Sequence, residues 1–113
     1  MKLLLIEDNN DVINLVTEVA KKFNLKLEVG SNTSDYLDLT KRFRFKFIFC
    51  DINLDYKKEG FDILKIHRKR KLKSKIIAFS SSYTPKELKS NSSFDFILEK
   101  KAEKLIDFVK SLS

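Results

Sequence analysis

The chain has 113 residues, 42% of them hydrophobic and 35% charged, with one Pro and two Gly. That balance excludes a disordered or fibrous protein, and the length allows one ordinary core, so a single domain over residues 1–113 is expected. A formal charge of +7 raises nucleic acid as a partner, but seven of the 23 Lys and Arg residues fall in KIHRKRKLKSK at 65–75, which holds no acid, and the other 16 balance the chain's 16 acids.

The first element lies in MKLLLIEDNND, where LLLI at 3–6 predicts a buried strand. Its apolar run is too short for a signal peptide's core of about 7 to 15 residues. No later run is long enough to span a membrane. DVINLVTEVAKKF then places Val12, Leu15, Val16, Val19 and Phe23 on one helical stripe, with Asn10 as the expected N-cap. LKLEV at 25–29 alternates and predicts an edge strand. A helix around DYLDLTKRF follows it, capped by one of Ser31, Asn32, Thr33 or Ser34.

FKFIF at 45–49 predicts a third strand covered on both faces, and its lone Cys50 fits buried filling in a reducing, cytoplasmic setting. FDILKIHRKR predicts a helix with Phe61, Leu64 and Ile66 inward. Its basic end puts cations at the negative end of the helix dipole, and no aromatic residues interleave them as a single-strand binder requires. A solvated helix end is therefore favoured over a partner-binding patch at 65–75, and His67, the chain's one histidine, is assigned to that surface. KIIAF at 75–79 and FDFIL at 94–98 predict two further buried strands. Between them TPKE starts a short fourth helix, with Thr84 as cap, Pro85 at the first helical position and Glu87 closing a capping box, until SNSS at 90–93 ends it. AEKLIDFVKSL closes the chain with Leu105, Ile106, Phe108, Val109 and Leu112 inward.

Strand and helix alternating five times imply an α/β fold, (βα)5, with a parallel sheet sandwiched between helices and right-handed crossovers. The expected architecture is a flavodoxin-like, doubly wound five-stranded sheet of order 2-1-3-4-5. In that order a ligand binds beyond the carboxyl ends of strands 1 and 3. Strand 1 runs into Glu7 and Asp8, strand 3 into Asp51, strand 4 into Ser80 and strand 5 into Lys100. Three carboxylates on one rim repel one another unless a cation sits among them, and a donor set of this kind suits Mg²⁺. Acids with a metal, a hydroxyl and an ammonium together make a site for a phosphoryl group.

In these stretches the sequence resembles the receiver domain of two-component response regulators, over essentially its whole length. LLLIEDN matches the family's first strand with its acidic pair, FIFCDINL the third with the phosphorylated aspartate, IIAFSSS the fourth with Ser or Thr, and FDFILEKK the fifth with its lysine. The resemblance implies that Asp51 is the nucleophile that takes a phosphoryl group from a phosphohistidine on a sensor histidine kinase or phosphotransfer protein. It implies that Glu7, Asp8 and Asp51, with the backbone carbonyl of Asn53, hold Mg²⁺. Lys100 is then the phosphoryl's point charge, and Ser80 the hydroxyl that couples phosphate to surface shape. The expected protein acts through contact with a downstream protein target, as a monomer or weak dimer, and turns over no external metabolite. The alternative is a pseudo-receiver that keeps the fold as an interaction module and never takes phosphate.

Some positions depart from the family's pattern. Asp55 stands where most receivers have Pro, Gly60 falls one position later than usual, and Lys101 replaces a proline whose peptide is typically cis, so a trans or strained bond is expected there. Ile97 occupies the position of the switching Tyr or Phe, which shifts the expected response to phosphate onto the 82–93 segment.

Overall fold

A computed structural model describes residues 1–52, 59–81 and 94–112. The expected fourth helix, the 82–93 segment, Asn53 and Asp55 lie outside the described residues.

Five strands, β1 (Lys2–Ile6), β2 (Lys26–Gly30), β3 (Phe47–Cys50), β4 (Lys75–Ser80) and β5 (Phe96–Glu99), form one parallel sheet of order β2-β1-β3-β4-β5. Four described helices connect or follow them: α1 (Asn10–Lys22), α2 (Thr33–Arg42), α3 (Glu59–Arg70) and the C-terminal α4 (Ala102–Ser111). This is the expected doubly wound, flavodoxin-like arrangement.

Alternation along the strands sorts the core into two layers. Leu3, Leu5, Phe47, Phe49, Ile77 and Phe79 face α1 and α4, where they meet Val16, Val19, Leu105 and Val109. Leu4, Ile6, Ile48, Cys50 and Ile76 face α2 and α3, against Tyr36, Ile63 and Leu64. Phe108 of α4 anchors the first layer by edge-to-face contacts with Phe47 (5.5 Å between centroids), Phe49 (5.8 Å) and Phe96 (5.5 Å). Such pairs add about 0.5 to 1.5 kcal/mol beyond the area they bury. The apolar runs of β1, β3 and β4 are covered on both faces as expected.

Four local expectations are corrected. Asn9, not Asn10, caps α1, because its Oδ1 accepts from the Asp11 and Val12 amides at 2.9 and 3.3 Å. β5 is an edge strand of the described sheet rather than a buried one, and it leaves Phe96 46% exposed. The inward face of α3 is Gly60, Ile63, Leu64 and His67, an i, i+3, i+4, i+7 stripe; Phe61 and Ile66 sit at its margins. His67 is accordingly buried: its Nε2 donates to the Ser74 carbonyl at 2.8 Å, and its Nδ1 accepts from the buried Tyr36 hydroxyl at 2.7 Å. That pairing needs the neutral ring, and burial holds its pKa below the ordinary value. Asn32 caps α2, within the expected set. The 100–101 peptide is trans, since no described bond is cis.

Candidate functional site

Parallel strands bring all their carboxyl ends to one rim, and pairing continues slightly past the strands there. The Glu7 amide donates to Gly30 O (2.9 Å) and the Asp51 amide to Ile6 O (2.9 Å), so both acids are held in register one residue beyond β1 and β3. Period two then decides where their side chains go. Glu7 continues the Leu3, Leu5 series and Asp51 the Phe47, Phe49 series, while Lys100 continues Phe96 and Leu98, which pack on the same layer. All three therefore project to the α1 and α4 side.

They meet there. Lys100 Nζ lies 2.7 Å from Glu7 Oε2 and 2.9 Å from Asp51 Oδ1. Glu7, Asp51 and Ser80 are buried, whereas Asp8 is exposed at the rim. Ser80 ends β4, the neighbour of β3. The structure thus brings together Glu7, Asp8, Asp51 and Lys100 and places Ser80 on the adjoining strand. Asn53, the remaining expected ligand, lies outside the described residues.

Burial raises the pKa of Glu7 above its usual range and the nearby Asp51 charge adds to this, although contact with Lys100 opposes both. For Lys100 burial works against the charged form, yet contact with Glu7 and Asp51 outweighs it and the net shift is upward. An ammonium shared by two buried carboxylates leaves one negative charge over, with the exposed acid of Asp8 beside it.

That excess fits a cation. One carboxylate oxygen each from Glu7, Asp8 and Asp51 lies within 4.8 Å of the others, the spacing of a shared ligand sphere. Moreover Glu7 Oε2 is fully buried and, apart from its ion pair with Lys100, has no well-directed hydrogen bond among the described residues. Its other oxygen accepts from the Asn9 amide at 3.3 Å. The set offers oxygen donors only, as a hard ion requires.

Sequence reasoning missed how the chain's two glycines serve this rim. Gly30 supplies the carbonyl that holds Glu7, and a Cβ on Gly30 would stand 2.7 Å from Asp35 Cβ. Gly60 opens α3 directly beneath Asp51: its amide donates to Ile52 O at 3.1 Å, and a Cβ there would overlap the Asp51 carbonyl oxygen. In a chain with only two glycines, their rarity was the available signal.

A sequence model described as response regulator receiver domain matches residues 3–109. No curated protein sequence matches the chain. Among solved structures, a CheY-like receiver domain from Methylobacillus flagellatus superposes with a TM-score of 0.79 at 21% identity, covering 100% of this chain and 98% of the other. The chemotaxis response regulator CheY4 of Vibrio cholerae gives 0.83 at 18% identity, covering 99% and 98%. The response regulator TrrA of Thermotoga maritima, solved in complex with Mg²⁺ and BeF, gives 0.82 at 20% identity, again over 99% and 98%. Identities this low establish a common fold. Among the described residues no helix is long and apolar enough to cross a membrane.

Proposed function

Because the chain belongs to the response regulator receiver domain family, we propose that it is a cytoplasmic phosphoacceptor whose nucleophile is Asp51. An Asp51 carboxylate oxygen attacks the phosphorus of a phosphohistidine on a partner kinase or phosphotransfer protein. The P–O bond forms as the P–N bond breaks, and the electron pair leaves with the imidazole. Water later attacks the same phosphorus and releases phosphate and the free carboxylate. Lys100 follows the charge from the acid to the new phosphoryl oxygens, and Ser80 donates a hydrogen bond to another of them. Glu7, Asp8 and Asp51, with the Asn53 carbonyl, are the residues that would hold Mg²⁺. When bound, the ion supplies positive charge that offsets the charge on the transferring group.

The observation that carries this reading is the buried junction of Lys100 with Glu7 and Asp51. A structural ion pair needs one acid per base, and a second buried acid is a cost that a bound proton or a further cation offsets. Mass spectrometry after incubation with acetyl phosphate and Mg²⁺ tests it. We expect the mass of one added phosphoryl group, absent without Mg²⁺ and absent in Asp51→Asn. An unmodified wild-type protein that also fails to respond to beryllofluoride would instead make it a pseudo-receiver, an interaction module of constant shape.

A further inference from the structure

The end of the sheet opposite Asp51 carries a basic groove. The segments 43–46 and 71–74 lead into β3 and β4 at their amino ends, so β3 itself, about 13 Å for four residues, separates them from the rim. Between them lies a groove of about 370 Å³ lined by Phe43, Arg44, Phe45, Lys71, Leu72 and Lys73 together with Thr40 and Ser74. Phe45 is buried in its floor, Phe43 and Leu72 are half-buried on its walls, and Arg44, Lys71 and Lys73 are exposed at its edge. Among the described residues the lining has three cations and no acid.

We propose that this groove docks an acidic segment of a partner protein, with one apolar side chain set on Leu72 against the edge of Phe43 and flanking carboxylates paired with Arg44, Lys71 and Lys73. Neutralising helix dipoles does not account for these cations. Lys41 and Arg42 already occupy the last turn of α2, and Arg68 and Arg70 that of α3, where they are engaged by Asp95 (3.2 Å) and Thr40 (2.6 Å). Arg44, Lys71 and Lys73 lie beyond both helix ends. Lys71 does so with a φ of 53°, a left-handed conformation where glycine or asparagine is usual.

The same helix ends choose between acidic partners. α2 and α3 both terminate at the groove, and the last carbonyls of a helix lack helical partners. A polypeptide brings amide donors for those carbonyls as well as carboxylates for the cations. Nucleic acid phosphates bring acceptors only, and the groove's aromatic faces are taken: Phe45 is buried and Lys2 Nζ lies 3.7 Å over the Phe43 ring. Charge complementarity with an apolar centre is the pattern of a peptide interface.

The test is selection of a random dodecapeptide display library on the intact protein, followed by fluorescence anisotropy and amide NMR shifts with the selected peptide. We expect a consensus of two or more Asp or Glu around one Leu, Ile or Phe, with shifts at 40–45 and 71–74. Affinity should fall about tenfold or more in Arg44→Glu/Lys73→Glu and be unchanged by beryllofluoride. The far-UV circular dichroism and urea midpoint of that variant report its folding independently; should it misfold, Arg44→Gln/Lys73→Gln takes its place. A consensus without acids, no consensus, shifts elsewhere, binding that survives both variants, or a single-stranded oligonucleotide binding more tightly than the peptide would each overturn the proposal.

Discussion

Gly60 and Asp51 are in backbone contact: a Cβ at Gly60 would overlap the Asp51 carbonyl oxygen and stand 2.6 Å from Ile52 Cα. The first turn of α3 is thus seated against the segment that presents Asp51. Neither backbone can yield as a flexible side chain would. Gly60→Ala should therefore destabilise by about 1 to 3 kcal/mol through overpacking. That outweighs the helix-propensity gain of up to about 1 kcal/mol. Urea unfolding measures it, and a variant as stable as wild type would show that α3 can slide away from the rim.

Lys100→Met removes the ammonium that Glu7 and Asp51 share. Breaking such a cluster costs about 3 to 5 kcal/mol, because both acids remain buried after that positive charge is gone. Under the proposed phosphoryl transfer the reacting group also loses its point charge, so labelling by acetyl phosphate should slow by about a hundredfold. Thermal unfolding and the labelling rate check the two effects separately.

Glu7 sets the pH behaviour. Its native pKa is raised above the ordinary 4.5, so the folded chain keeps a proton that the unfolded chain releases. Stability should fall as pH rises from 4.5 through the native value. Opposite charge reverses the shift, so Mg²⁺ should flatten this decline. At 100 times its dissociation constant Mg²⁺ should add about 2.7 kcal/mol. Denaturation series with and without the ion read this out, and Asp8→Ala should abolish the difference.

His67 responds in the opposite sense. Its native pKa is lowered by burial, so its contribution to stability is complete above 6.5 and is lost as pH falls from there through the native value. Tyr36→Phe leaves Nδ1 buried without its donor and should cost about 1 to 3 kcal/mol. NMR of the ring should show neutral imidazole with its proton on Nε2 at neutral pH.

The sequence carried the sheet because β1, β3 and β4 are apolar on both faces and the acids stand immediately past two of them. The convergence of Glu7, Asp8, Asp51, Ser80 and Lys100 was legible because parallel pairing leaves the carboxyl ends of the strands one rim to occupy. Burial of His67 was hidden by its neighbours. Six of the residues around it in 65–71 are not acidic and five are cations, so composition argued for solvent, while the phase of the helix put the ring one turn below Leu64 against Tyr36. The edge position of β5 escaped because FDFIL has the same composition as a covered strand, and only the strand order places it at the sheet's margin. Asn9 displaced Asn10 as cap by one residue, a difference that side-chain reach decides and composition cannot.

Cys50, the chain's single thiol, is sealed in the α2 and α3 layer one residue before Asp51, and burial holds its pKa far above the thiol's usual range. A thiol so placed cannot react while the centre of the sheet is closed. The molecule therefore contains its own clock: the rate at which an alkylating reagent consumes Cys50 counts excursions that pull β3 open, without any introduced label. Whatever grips the neighbouring carboxylate will slow that clock.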